Sequence, residues 1–134
     1  MTSQRTSSIL LDSAFEDEIT KAIDAHAAWK VWLSSAIESG KVDADVADVR
    51  KNNVCALGKW LYGSTIPAHL DPNYIIVREI HANFHECAGR ILELVLAGKK
   101  AQADAMMALD GEYTRISSQL TAAMMKWKQA VAKR

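Results

Sequence analysis

His81 and His85 stand four residues apart in a stretch with helical patterning, so both rings project from one helix face about a turn apart. That spacing is common by itself. Both residues, however, fall on the apolar stripe of their helix rather than on its polar face. A buried imidazole needs a partner, and two stacked ones need something that keeps both neutral and lone-pair-donating. His26 lies on the apolar stripe of a second helix, and Cys55 adds a thiolate from a separate short element. Three nitrogens and one sulfur suit tetrahedral zinc, with bonds of about 2.0–2.3 Å. The same donors argue against calcium and magnesium, which take oxygen ligands. The donor set alone leaves iron and copper open.

Cys55 falls in the first turn of its short predicted helix, where free N–H groups and the positive dipole end favour a thiolate. It is therefore the oxidisable member of the set. Cys87 is two residues past His85, off the ligand face, and reads as a small packed hydrophobe. His69 reads as an exposed loop residue. Trp29, Trp32 and Trp60 read as packing near the ligands, and Trp29 and Trp60 would exclude water from them. Gly58 reads as a point of close helix approach and Lys59 as solvated. Asp24 and Glu79 carry the right chemistry to orient an imidazole, but their helical positions do not point at the ligand face.

The elements that must position these residues follow from hydrophobic period and stop signals. Residues 1–10 read as a disordered tail, leaving 11–134 as one helical domain. A first helix fits about residues 12–39, with a Ser13/Glu16 capping box and a stop at Gly40. Its stripe runs Ile19, Ala22, Ile23, His26, Trp29, Leu33, Ile37. Residues 41–52 read as a loop with room for a helical turn, and a short helix follows over roughly Asn53 to Tyr62. Asp71 and Pro72 open a third helix that ends at Gly98 and carries Val77, Ile80/His81, Phe84/His85, Ala88, Ile91/Leu92 and Val95 on its inner face. A fourth helix over about 99–131 places Met106, Leu109, Tyr113, Ile116, Leu120, Ala123, Trp127 and Val131 on one seam. Nothing alternates with period two. The expected architecture is all-α: an antiparallel four-helix bundle of three long helices and one short one.

Composition narrows the function. The 134 residues suffice for one core without staples, and 49% apolar with 24% charged is the balance of an ordinary globular domain. Sixteen basic residues offset sixteen acidic ones, which gives no electrostatic case for nucleic acid or an anionic membrane. No apolar core of a signal peptide follows the start, and no stretch reaches the length of a membrane span. Two cysteines are too few for a disulfide framework, so the expected setting is the reducing cytoplasm.

The run Cys55-Ala-Leu-Gly-Lys-Trp-Leu-Tyr-Gly63, with His26-Ala-Ala-Trp29 upstream and His81-Ala-Asn-Phe-His85 downstream, resembles the chemoreceptor zinc-binding (CZB) domain. The resemblance spans about residues 15–130. It implies zinc ligation by His26, Cys55, His81 and His85, and it implies a bacterial sensory module attached to, or acting on, chemoreceptors or diguanylate cyclases. In such a module the signal is zinc occupancy, or oxidation of the zinc-bound cysteine by agents such as hypochlorous acid. Resemblance and helix faces together favour a homodimer. Two other readings compete. One is a zinc-stabilised helical interaction or dimerisation module. The other is a metalloenzyme, which is disfavoured because catalytic zinc keeps an open coordination position that a His₃Cys set fills. A haemerythrin-like di-iron centre would need more His and bridging carboxylates than this chain offers.

Overall fold

A computed structural model describes residues 2–51 and 72–132, with side chains described over 16–51 and 72–131. Its helices are α1 (Thr2–Ser39), α2 (Val46–Arg50), α3 (Pro72–Leu96), α4 (Lys100–Met107) and α5 (Glu112–Ala132). No strand occurs among the described residues. The fold is an all-α bundle in which α3 packs on α2 and α5, and α1 packs on α3 and α5. The short helix expected over Asn53 to Tyr62 lies outside the described residues.

The apolar stripes become the core. On α1, Ile19, Ala22, His26, Leu33 and Ile37 are buried, with Ile23 and Trp29 partly so. On α3 the buried set is Val77, His81, Phe84, His85, Ala88, Ile91, Leu92 and Val95, together with Tyr74, Cys87 and Gly89. From α5, Tyr113, Leu120, Met124 and Trp127 close the interior. Each fully buried aliphatic or aromatic side chain contributes on the order of 1.5–3 kcal/mol. Burial of these shared faces, more than helix propensity, holds the elements in place.

Three features differ from the sequence reading. Helix α1 begins at Thr2 rather than near residue 12, so it runs into the segment read as a tail. The charged stretch 41–52 contains a true helix, α2, capped by Asp45, whose side chain accepts from the Ala47 backbone N–H at 2.9 Å. The long fourth helix is broken between Met107 and Glu112. Gly111 permits the break: the chain folds back over the end of α4 so closely that a Cβ there would collide with the Met106 and Ala105 carbonyls. The Thr114 hydroxyl donates to the freed Met107 carbonyl at 3.2 Å. Leu109, counted on the seam, sits in that turn and is 95% exposed.

Candidate metal centre

The mid-helix stripes of α1 and α3 carry imidazoles where the rest of each stripe carries hydrocarbon. His26 on α1 and His81 and His85 on α3 are all buried, and one ligand atom from each lies within 4.8 Å of the other two. Tetrahedral zinc with Zn–N bonds of 2.0–2.1 Å requires nitrogens about 3.3 Å apart. The pair His81 Nε2 and His85 Nε2 is already at 3.0 Å.

The backbone fixes two of the three tautomers. A carbonyl oxygen can only accept, so His26 Nδ1–H donates to Ala22 O at 2.8 Å and His85 Nδ1–H donates to Val49 O at 2.8 Å. Each neutral ring then has a bare Nε2. For His26 that atom is buried and has no hydrogen-bond partner among the described residues. For His85 the bare Nε2 accepts from His81 Nε2–H. His81 is thus the ring whose tautomer must change if its Nε2 is to donate to a metal. A ring N–H anchored on a backbone carbonyl, with the opposite nitrogen presented inward, is the usual support for a metal-bound histidine.

Burial also keeps the rings uncharged. Desolvation lowers the pKa of His26 against the opposing effect of its bond to the Ala22 carbonyl. Desolvation, reinforced by charge on His85 and His26, lowers His81 to about 2. His85 falls to about 4 by desolvation, despite its bond to Val49 and with a further push from His26. Neutral imidazole is the ligating form, and proton competition at these rings is weak at neutral pH.

Aromatic rings wall the cluster. Phe84 is fully buried, with its ring centroid 5.0 Å from His26 and 5.6 Å from His85. Trp29 stands edge-on to His85 at 5.2 Å. Beside His85 a groove of about 650 Å³ opens between α1 and α2, and its lining includes Trp29, Trp32, Val49 and Lys51.

A family model of the chemoreceptor zinc-binding domain matches residues 26–92, half of the chain. The chain belongs to that family. No curated protein and no solved structure matches it. The matched span opens on His26 and contains Cys55, His81 and His85. The chemoreceptor zinc-binding domain is a regulatory one, and three of the four ligands expected from the sequence meet in this structure's interior. Cys55 and Trp60, with His69, Gly58 and Lys59, lie outside the described residues. Asp24 and Glu79 are exposed. Cys87 is buried, and its thiol is pushed up to about 11, first by desolvation and then by Glu112, against Arg90 and Arg115. A thiol held protonated is a poor nucleophile and a poor ligand.

The sequence reading missed the two carbonyls that anchor the rings. Ala22 is one helical turn before His26, so a local back-bond was there to be found. Val49 is 36 residues from His85, and nothing in its type marks it.

Proposed function

We propose that this domain is a zinc-binding sensory module in which His26, Cys55, His81 and His85 hold one zinc ion. The carrying observation is the convergence of three buried, neutral imidazoles on one point, with the His26 Nε2 lone pair left without a partner. Such a cluster is costly unless something occupies the nitrogens' common focus, since an unsatisfied buried acceptor costs about 1–3 kcal/mol. No carboxylate belongs to the cluster among the described residues, which favours zinc over metals that want oxygen.

Chain connectivity supports Cys55 as the fourth ligand. It is six residues past Val49, whose carbonyl already touches His85, and that length spans at most about 20 Å. It is four residues past Lys51, on the rim of the groove beside His85. Bound zinc would supply a cross-link between α1, α3 and the segment bearing Cys55. Trp29 and Trp60 would keep water from the ligands.

The signal, in this reading, is zinc occupancy or oxidation at Cys55. The thiolate would take oxygen from hypochlorous acid, giving the sulfenic acid and chloride. Loss of the thiolate donor would free its segment from the helix pair and change the adjoining surface. The output would pass to a chemoreceptor or diguanylate cyclase, with the module acting as a cytoplasmic homodimer over about residues 11–134 and carrying out no catalysis of its own. No described helix is long and apolar enough to cross a membrane.

Metal analysis of the purified protein should give one zinc per chain, and Cys55→Ser should weaken zinc binding by orders of magnitude while leaving helix content near its original value. Tight, stoichiometric zinc in Cys55→Ser protein would overturn the ligand set.

A further inference from the structure

The carbonyl that anchors His85 belongs to α2, a helix of five residues. A helix that short has no stability of its own, so its position is set by what holds it against α3. Val49 supplies one hold, buried at 8% exposure. Arg50 supplies the other. Its aliphatic stem lies across Gly89 so closely that a Cβ there would collide with Arg50 Cγ. Its guanidinium reaches Glu93 through Nη1 and stands 3.7 Å from Glu86 through Nε. Glu86, Gly89 and Glu93 follow one another at three and four residues along one face of α3, forming a saddle with carboxylates at both ends and no side chain at the bottom.

We infer that Arg50, seated on the Glu86–Gly89–Glu93 saddle, is a positioning residue for the metal centre, fixing the register of α2 so that the Val49 carbonyl meets His85 Nδ1–H. Glu86 is the neighbour of His85 in sequence, as Val49 is of Arg50, so the clamp and the anchoring bond are adjacent links between the same two helices. Half-exposed ion pairs contribute little to global stability. Their effect here is local: a guanidinium bonded to Glu93 with Glu86 at 3.7 Å on its other side, above a stem that fills the glycine gap, permits one register of α2 and resists others. With that register lost, the His85 ring can turn, and its Nε2 is no longer presented to the cluster.

The inference rests on the zinc-binding reading, and the test separates the two. Zinc affinity is measured by chelator competition for the wild type, Arg50→Ala, Arg50→Lys, Gly89→Ala and the Arg50→Ala/Gly89→Ala double variant. Solvent exchange of the His85 Nδ1–H is followed by ¹⁵N NMR in the metal-free proteins. Arg50→Ala should weaken zinc about ten- to a hundred-fold, the usual effect of removing support from a metal ligand, and should speed exchange at least about tenfold. Arg50→Lys, which keeps the stem and one contact, should recover part of both. Gly89→Ala should act in the same direction as Arg50→Ala in the wild-type background and add nothing once Arg50 is gone. Unchanged affinity and unchanged His85 exchange in Arg50→Ala would overturn the inference, as would a Gly89→Ala effect of equal size in both backgrounds. Wild-type protein that binds no zinc would overturn the metal reading, and the exchange measurement would still decide whether Arg50 places the carbonyl.

Discussion

The two halves of α3 use one geometric stripe for opposite ends. From Ala88 to Val95 the inner face is Ala88, Ile91, Leu92 and Val95, hydrocarbon packed on hydrocarbon. One turn earlier, the same face presents His81 and His85 beside Phe84, equally buried. The apolar half needs only shape. The imidazole half must also keep its rings neutral and aimed inward, and for His85 it depends on the Val49 carbonyl, from another helix, to hold the tautomer. Burial alone therefore does not define the centre; burial of imidazoles whose ligand nitrogens converge does.

The largest expected consequence of that difference is in acid. A histidine whose folded pKa is depressed contributes stability that is complete above its unfolded value of about 6.5 and is lost as pH falls below it. The loss continues until the folded value is reached, about 4 for His85 and about 2 for His81. Each ring held neutral removes up to about 1.4 kcal/mol per pH unit as pH falls below 6.5. Total stabilities of natural domains are about 5–15 kcal/mol. With zinc chelated, urea midpoints should drop steeply from pH 7.5 through 6 to 5. A flat profile over that range would mean that the rings are not held neutral by the fold.

The apolar half should respond differently. Leu92 is fully buried in the hydrophobic core, and Leu92→Ala should cost about 2–5 kcal/mol through lost contact and the cavity left behind. That loss should be the same at pH 7.5 and pH 6, and zinc should still bind at one per folded chain. Urea unfolding with and without zinc measures both. If Leu92→Ala changed the pH slope itself, the two halves would not be separable regions.

The long stripes were legible because helical period depends only on local spacing, and every α1 and α3 stripe residue, from Ile19 to Ile37 and from Val77 to Val95, is buried or partly buried as read. The clustering of His26 with His81 and His85 was legible for the same reason: two inner faces must meet. What escaped was non-local or hidden by the helical period. Val49 and Arg50 act through residues 36 and 43 positions away, and a charged loop gives no sign of such partners. The seam through Met106, Leu109 and Tyr113 keeps helical spacing across Asp110-Gly111, so the period hides the break at that pair. Only the contact of Gly111 with the preceding carbonyls decides in favour of the turn.

A smaller effect, of opposite sign, probes the comparison at one atom. His26→Leu makes the imidazole region more like its apolar neighbour on α1. It removes the unpartnered Nε2 and strands nothing, because Ala22 O keeps the main-chain helix position it already serves. Metal-free His26→Leu protein should gain about 1 kcal/mol at pH 7.5 and lose part of its acid sensitivity, since His26 is also lowered by burial. Zinc binding should collapse in the same variant. Stability and metal affinity moving in opposite directions is the signature of a side chain retained for its lone pair. A variant that lost stability without metal would instead make His26 an ordinary core residue, satisfied by its own helix, and would confine the metal-holding character of the interior to α3.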